Sequence, residues 1–125
     1  MKFVYAFHLK SNYMFINGGF LCSKTMLNIA ITEIVMIKGM GNYSVIIKYN
    51  GQSITSSRTL KVFEELLTGF SFVRPSKFCI VNLNYVVRPS KFAISQLEVK
   101  SIHEKIPISR RRQAEVNQIL RNQKN

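Results

Sequence analysis

The first 32 residues alternate between apolar runs and short polar or glycine-containing segments, a pattern typical of short antiparallel strands. Apolar runs at residues 3–9 and 13–16 predict two strands, with Lys10-Ser11-Asn12 as the turn between them. Asn17-Gly18-Gly19 predicts the next turn. The segment from Phe20 to Thr32 is ambiguous, although its later apolar residues alternate with other residues, which favours a strand.

Two strongly apolar segments come next and predict the centre of the fold. The segment from Ile34 to Ile37 is apolar and rich in β-branched residues, which predicts a buried strand. The segment from Tyr43 to Tyr49 predicts a strand with its odd-numbered residues on one face. Asn50-Gly51 predicts a hairpin with a type I′ turn, and Gln52 to Ser57 returns as the partner strand.

The apolar period then changes from that of a strand to that of a helix. Leu60, Phe63 and Leu67 fall at positions i, i+3 and i+7 and form one apolar helical face. Thr59 can cap the start of this helix and Gly69 can end it. Because so short a helix is unstable alone, we expect it to pack on a sheet.

A basic and apolar stretch follows the helix. Arg74 and Lys77 flank Pro75 and Ser76, and the run from Phe78 to Val81 has the composition of a buried strand. Because proline cannot donate a ladder hydrogen bond, we expect the two cations to lie on a loop before that strand. Such a loop can contact nucleic acid, and an ordinary solvated basic loop is an equally good interpretation.

The C-terminal part predicts further β structure and a closing helix. The sequence of residues 73–78 recurs at residues 87–92, but one short echo does not establish a repeat architecture. The remaining segments predict a strand with a bulge at 92–99, a turn at 103–105, an edge strand at 106–108 and a helix from Arg110 to about Leu120 that Ser109 caps. We therefore expect one domain over residues 1–125 that is mainly antiparallel β-sheet, with one short internal helix and a C-terminal helix.

Charge is distributed unevenly along the chain. The net charge is +12, of which residues 1–70 carry +4 and residues 71–125 carry +8. A one-sided basic excess points to a polyanionic partner, most often nucleic acid and sometimes an anionic membrane. The sequence has no apolar run of about 18 residues that could span a membrane, and its N-terminus lacks the pattern of a signal peptide.

Residues that usually support catalysis or metal binding are scattered. His8 and His103 lie apart from any cysteine or acid at ligand spacing, and the sequence contains neither an acid–base pair nor a phosphate-binding glycine loop. Cys22 and Cys79 have apolar surroundings, which predicts free buried thiols in a reducing cytoplasm. We expect no metal, no cofactor, no small-molecule substrate and no enzymatic activity.

Two polar segments are candidate contacts for DNA. Arg110-Arg111-Arg112 occupy the first turn of the predicted C-terminal helix, where the macrodipole disfavours cations by about 0.3–1 kcal/mol each but free N–H groups attract anions. This pattern favours an anion site over a solvated basic turn. Gly39, Gly41 and Asn42 predict a loop slim enough to enter a groove, where Asn42 and Ser44 could read base edges, with an ordinary turn as the alternative.

Four segments of the chain, taken in order, resemble the LytTR DNA-binding domain of bacterial transcription regulators. They are residues 33–45, which resemble its Gly-Asn-Tyr element; residues 59–67, which resemble its Thr-Leu-Lys helix; residues 72–82, which resemble its Phe-x-Arg-x-His-Arg-Ser-Tyr-Ile-Val-Asn signature; and residues 106–111, which resemble its Ile-Pro-Val-Ser-Arg-Arg close. The resemblance runs from about Phe20 to Leu120. Each segment alone is weak, whereas four in order are specific.

The resemblance implies an elongated, mainly antiparallel β fold that places loops and its C-terminal region in successive major grooves of promoter direct repeats. On matching positions it implies base contacts near Ser44, at Lys77 and at Arg110. The signature's His-Arg-Ser-Tyr is Ser76-Lys77-Phe78-Cys79 here, so the lysine keeps the charge but loses the bidentate fork, and the target sequence does not transfer. The base-contact candidates are Asn42, Ser44, Lys77 and Arg110, and the phosphate-contact candidates are Arg74, Ser76, Arg111 and Arg112.

Double-stranded DNA is therefore the expected partner, with a homodimer on direct repeats as a further expectation. Many family members carry a receiver domain ahead of this one. Because the LytTR-like part begins within the first few tens of residues and the sequence starts with Met1, we expect a stand-alone regulator without a receiver domain, with an excised domain as the alternative. An RNA-binding or ribosome-associated basic β domain is the alternative. It is disfavoured because the aromatic residues are expected in the core and not on a stacking surface: Tyr43, Tyr49, Phe63 and Phe72.

Overall fold

The computed structural model of the chain describes residues 3–6, 14–23 and 28–123, with side chains from residue 14 onwards. The turn predicted at Lys10-Ser11-Asn12 and residues 24–27 of the ambiguous segment lie outside the described residues. The strands are β1 Phe3–Ala6, β2 Met14–Asn17, β3 Phe20–Ser23, β4 Asn28–Ala30, β5 Ile34–Gly39, β6 Ser44–Lys48, β7 Ser53–Ser56, β8 Phe72–Ser76, β9 Cys79–Asn82, β10 Gln96–Val99 and β11 Glu104–Pro107. The helices are α1 Leu60–Leu66 and α2 Gln113–Asn122, with 3-10 turns at Ile31–Glu33, Leu83–Tyr85 and Arg110–Arg112. The predicted fold class, mainly antiparallel β with a short internal and a C-terminal helix, is confirmed.

A five-stranded antiparallel sheet, in the order β7-β6-β5-β9-β8, forms the middle layer of the protein. Its central strand β5 is buried on both faces. Ile34 and Ile37 belong to one apolar core, whereas Val35 and Met36 belong to the other, and a register shift between Ile34 and Met36 accommodates the two consecutive residues on one face. Burial on both faces is the reason that this strand is a continuous apolar run.

Two apolar cores lie on opposite faces of this sheet. The first joins α1 and the sheet β1-β2-β3-β4 to the central sheet, through side chains such as Ile16, Phe63 and Ile80. The second joins the β10–β11 hairpin and α2 to the other face, through side chains such as Leu97 and Val116. Because the sheet is packed from both sides, the connections at its ends are held on rigid strands.

Helix α1 is confirmed, with the apolar face that the sequence predicts. Leu60 and Phe63 are buried in the first core, and Leu67 is buried directly after the helix. Thr59 occupies the N-cap position, but its side chain makes no capping hydrogen bond. Gly69 has φ +93, a left-handed conformation that prevents the helix from continuing.

The β6–β7 hairpin is confirmed, but its predicted type I′ turn is wrong. That turn needs a positive φ at both central residues, and among the described non-glycine residues only His103 has one. Gly51, with φ +87, instead donates its N–H to the Lys48 carbonyl (3.0 Å), and the backbone N–H of Lys48 donates to the Gln52 carbonyl (2.8 Å). This is a type I turn closed by a left-handed glycine, and the Asn50 side chain supports it by accepting from the Gln52 N–H (2.9 Å).

The prediction that Arg74 and Lys77 share a loop is also wrong. Arg74 and Pro75 belong to β8, which is the edge strand of the central sheet, and the register of β8 against β9 shifts at this point. An edge strand with a bulge tolerates a residue that lacks an N–H donor. Lys77 and Phe78 alone form the turn, so Phe78 is exposed and the buried strand β9 begins one residue later, at Cys79.

Only the second half of the strand predicted at residues 92–99 is observed, as β10. The cause is Asn117 of α2, whose side-chain Oδ1 accepts from the Ile94 N–H (3.0 Å) and whose Nδ2 donates to the Ile94 carbonyl (3.1 Å). Both backbone groups of Ile94 are thereby taken by a side chain and not by a neighbouring strand. The turn predicted to include Glu104 ends at His103, which has φ +51, and Glu104 already belongs to β11.

The repeated hexapeptide adopts two different structures. Residues 73–78 run along β8 into the tight turn, whereas residues 87–92 are irregular and follow an isolated bridge between Val86 and Val99. The irregular copy is held by Arg88 and Arg121, whose guanidinium groups lie 5.1 and 5.6 Å from the centre of the Phe92 ring. Tertiary neighbours, and not the hexapeptide itself, decide its conformation.

Candidate nucleic-acid interface

Three connections meet at one end of the central sheet, and backbone hydrogen bonds tie them together. The N–H of Gly39, at the end of β5, donates to the Phe78 carbonyl in the β8–β9 turn (2.8 Å). The N–H of Ser109, before the arginine turn, donates to the Pro75 carbonyl in β8 (2.9 Å). We refer to this region as the basic end, and define it as the loop 40–43, the turn 77–78 and the segment 109–112. It gathers residues that are up to 72 positions apart in the chain, from Met40 to Arg112.

The β5–β6 loop presents Asn42 to solvent on a narrow glycine turn. The Met40 N–H donates to the Tyr43 carbonyl (2.8 Å), and Gly41 adopts φ +80, a conformation that a side chain would strain. Gly39 is constrained differently, because a Cβ there would lie 2.8 Å from the Leu60 Cδ1 atom of α1. The two glycines therefore keep the loop thin and close to the helix, with Asn42 exposed on it.

Ser44, a predicted base contact, is fully buried. Its exposed fraction is 0%, and its hydroxyl donates to the Arg58 carbonyl at 2.6 Å. This hydrogen bond ties the first residue of β6 to the connection between β7 and α1. In the observed conformation Ser44 therefore positions the loop that carries Asn42, and its hydroxyl is not presented to solvent.

The β8–β9 turn is held by two side chains, which leaves Lys77 on its outer surface. The Ser76 Oγ accepts from the Phe78 N–H (3.0 Å), a local turn that a hydroxyl residue two positions earlier can form. Arg74 donates to the Ser76 carbonyl from Nε (3.2 Å) and to the Lys77 carbonyl from Nη2 (3.3 Å). Its Nη1 pairs with Glu64 of α1 at 2.7 Å. Sequence reasoning missed this positioning role, and the Ser-x-Phe spacing is the one signal that could have indicated the turn.

The three consecutive arginines do not share one environment. They form a 3-10 turn and α2 begins at Gln113, so the prediction that they occupy the first turn of the helix is wrong. Arg112 is half-buried and donates to the Arg74 carbonyl (3.3 Å), which connects the arginine turn to β8. Arg110 and Arg111 are exposed. The segment thus anchors one guanidinium and presents two.

Acidic side chains offset only part of the charge at this end. Glu64 pairs with Arg74, and Glu104 pairs with Lys38 at 3.6 Å. Within the described part of the chain, no acidic partner is found for the three exposed cations Lys77, Arg110 and Arg111. Three open cations beside an exposed amide side chain can bind a polyanion and also donate hydrogen bonds to acceptors within it.

The expectation that the tyrosines lie in the core is wrong for two residues. Tyr43 is 39% exposed and Tyr49 is 54% exposed, whereas Phe63 is fully buried and Phe72 is half-buried. The two tyrosines stand at opposite ends of β6, about 20 Å apart at the rise of a strand. They therefore do not form the continuous aromatic platform on which RNA-binding sheets stack successive bases.

The cysteines are free and buried, as predicted. Burial is the main cause that raises the pKa of the Cys79 thiol, and burial also raises the pKa of Cys22. Among the described residues no group of three or more histidine, cysteine or acidic side chains could hold a metal ion. No helix within the same residues has the length and apolar character needed to cross a membrane.

Comparison with known proteins identifies a family and a similar fold. The family model described as the LytTr DNA-binding domain matches residues 24–121. Among solved structures, the chain is similar to one described as the LytTr DNA-binding domain of a methyl-accepting/DNA response regulator from Bacillus cereus, with a TM-score of 0.63 and 18% identity over 89% of this chain and 97% of that chain. No curated protein matches the chain. At this identity the solved structure shows a shared fold, whereas the family match spans most of the chain.

Proposed function

The chain belongs to the LytTR family of DNA-binding domains, and from this membership we propose that it regulates transcription by binding direct repeats in duplex promoter DNA through its basic end. DNA binding in transcription regulation follows from the family. The repeat, the contact surface and the residue roles are our proposal. In it the protein acts in the cytoplasm by binding alone, without catalysis.

The observation that carries this proposal is the convergence of Asn42, Lys77 and Arg110 at one end of a rigid sheet. Each lies on a different connection, and each is exposed. The β5–β6 loop and the β8–β9 turn are both narrow, which suits insertion into a major groove about 12 Å wide. The neighbouring arginine segment brings a third donor beside them through the Ser109–Pro75 hydrogen bond.

Within this surface we assign base reading to three side chains and phosphate binding to a fourth. The guanidinium of Arg110 can donate two hydrogen bonds to guanine, the amide of Asn42 can pair with adenine, and the ammonium of Lys77 can donate to guanine acceptors. Arg111, exposed beside Arg110, is suited to a phosphate.

The remaining candidates act indirectly in this proposal. Arg74, Ser76 and Arg112, predicted as phosphate contacts, each use their polar atoms to hold the turn or the arginine segment. The buried Ser44 holds the loop that carries Asn42. We therefore propose that these four residues position the contacts that the others make.

Binding to direct repeats further implies that two copies occupy one promoter. We propose that each copy covers one half-site, in which case the spacing of the repeats fixes the relative position of the two copies along the duplex. A homodimer formed on DNA would appear as cooperative binding to the double site.

The proposal is tested by selecting bound duplexes from a random DNA pool. We expect recovery of a short direct repeat by the wild-type protein and loss of that enrichment in a variant with Lys77, Arg110 and Arg111 all changed to alanine. The matched control changes three exposed lysines outside the basic end, Lys91, Lys100 and Lys105, and removes the same charge. Equal binding to all duplexes together with preference for single-stranded RNA would reject the proposal in favour of an RNA-binding role.

A further inference from the structure

Two of the largest exposed apolar side chains lie at the basic end. Phe78 is 63% exposed and Met40 is 48% exposed, and both line one apolar groove that continues towards Pro107 and Ile108. Exposed single apolar residues are common on protein surfaces. These two, however, line the same groove and share their connections with candidate base-reading side chains: Lys77 directly precedes Phe78, and Asn42 lies two residues after Met40.

The Phe78 ring is presented by a fixed piece of backbone. Its N–H is held by the Ser76 hydroxyl at 3.0 Å, and its carbonyl accepts from the Gly39 N–H at 2.8 Å. The Lys77 Nζ lies 5.3 Å from the centre of the ring, so the cation and the aromatic ring form one unit. A rigid ring that remains exposed despite this contact is suited to meet a partner.

The charge around the ring defines what that partner can be. Lys77 adjoins the ring, and Arg110 and Arg111 lie across the Ser109–Pro75 bond, so an apolar peptide would leave cations uncompensated. Duplex DNA compensates them with phosphates and offers one apolar group on the major-groove edge of its bases, the C5-methyl group of thymine. Phenylalanine is among the side chains suited to that methyl group.

We propose that Phe78, with Met40 beside it, contacts a thymine methyl group in the major groove and so selects thymine at a position next to the base read by Lys77. This inference rests on the proposed function, since it requires the basic end to face DNA. It assigns a specificity-determining role to a position where the LytTR signature carries serine, and it makes this chain prefer a base that the resemblance does not specify.

The test replaces thymine by deoxyuridine, one position at a time, in the duplex recovered by selection. Deoxyuridine pairs as thymine does and lacks only the methyl group. We expect the wild-type protein to bind about fourfold more weakly when the contacted methyl group is removed, from the transfer free energy of one buried carbon. Phe78→Ala should bind the thymine and deoxyuridine duplexes equally, and Met40→Ala should show a reduced preference.

Phe20→Ala provides the matched control, because Phe20 is also exposed (48%) but lies on β3 of the N-terminal sheet. It should retain the full thymine preference. Equal wild-type affinity for every substituted duplex would overturn the inference while leaving the proposed function intact, as would a thymine preference that survives Phe78→Ala. If Phe78→Ala weakens binding to the thymine and deoxyuridine duplexes by the same factor, the Phe78 ring stacks between bases and does not contact the methyl group, which also overturns the inference. Failure of the wild-type protein to bind any duplex would reject the proposed function and this inference together.

Discussion

At the scale of single residues, the arginines of the basic end differ in what their guanidinium groups contact. Arg74 and Arg112 donate to backbone carbonyls of the same region, whereas Arg110 and Arg111 are exposed. A guanidinium that already holds a turn has fewer donors left for DNA, and its loss would disturb the groups that it positions. Arginine therefore stabilises the local structure at positions 74 and 112 and is exposed for contact with DNA at positions 110 and 111.

The distinction between base reading and phosphate binding can be tested on adjacent arginines. We expect Arg110→Ala to lose about 1–3 kcal/mol of binding free energy on the cognate duplex and to relax preference at one base pair, because a bidentate contact discriminates bases. Arg111→Ala should weaken cognate and scrambled duplexes alike and reduce the salt slope by about one unit for each bound copy. Fluorescence anisotropy with both duplexes at fixed salt measures this. If Arg110→Ala lowers both affinities by the same factor, Arg110 binds phosphate and its assignment as a base reader is wrong.

The positioning role of Arg74 predicts a different pattern. Arg74→Lys keeps the charge but cannot donate to the carbonyls of Ser76 and Lys77 while pairing with Glu64, since lysine lacks the planar fork. We expect a loss of about 1–2 kcal/mol on the cognate duplex, as two hydrogen bonds contribute, with an unchanged salt slope. A variant that retains full cognate affinity would show that the turn does not depend on these hydrogen bonds.

At the scale of elements, α1 packs on the face of the central sheet that forms the first core, and from there it supports the basic end. Phe63 is fully buried in the first core, Leu60 packs beside Gly39, and Glu64 on the same helix pairs with Arg74. The helix therefore contacts both the strand that leads into the Asn42 loop and the strand that leads into the Lys77 turn. Its packing couples the stability of the core to the geometry of two connections.

This packing gives a prediction about stability. Phe63→Ala should lower the free energy of unfolding by about 3–5 kcal/mol, as large-to-small aromatic substitutions in a core do. Lys61→Ala, at an exposed position on the same helix, is the control and should change it by less than about 0.5 kcal/mol. Urea denaturation followed by circular dichroism provides the measurement. An unchanged midpoint in Phe63→Ala would contradict the burial of this side chain.

At the scale of the whole molecule, charge is the property that the fold concentrates. The basic residues of 71–125 do not all contribute to one surface. Arg88 and Arg121 make cation–π contacts with the Phe92 ring on the side of α2. Lys77, Arg110 and Arg111 are brought to one end by the hydrogen bonds between β5, β8, β9 and the arginine segment. A protein with this distribution should approach DNA with that end forward.

Binding should accordingly depend strongly on salt. If two copies together neutralise about six phosphates, the logarithm of the binding constant should fall against the logarithm of salt concentration with a slope near −5. A titration of the selected duplex between about 50 and 200 mM salt measures this slope. The slope should be clearly less steep for the variant with Lys77, Arg110 and Arg111 changed to alanine than for the control variant in which three lysines elsewhere are changed. A slope near zero for the wild-type protein would be incompatible with a basic DNA-facing surface.

Local sequence determined the elements whose signals are short-range. The β5, β6 and β7 strands and the hairpin between the last two were predictable from their apolar, β-branched composition and the Asn-Gly pair, and α1 was predictable because its helical period reports which of its side chains are buried. The family followed from four ordered segments, and the cations of the basic end were visible as residue types. For the strands, the hairpin and the helix, the relevant interactions lie within a few residues of one another.

Tertiary structure alone decided which polar groups remain free to contact DNA. The hydroxyl of Ser44 is occupied by a carbonyl fourteen positions away, the guanidinium of Arg112 by the carbonyl of Arg74, and the backbone of Ile94 by the side chain of Asn117. The identical hexapeptides at 73–78 and 87–92 take different conformations for the same reason. The fold decides which partner accepts a side chain's hydrogen bonds, and in these cases the partner is distant in the sequence. The sequence by itself therefore determined the strands, the helix and the sign of the charge, whereas the fold decided which cations remain exposed to meet DNA.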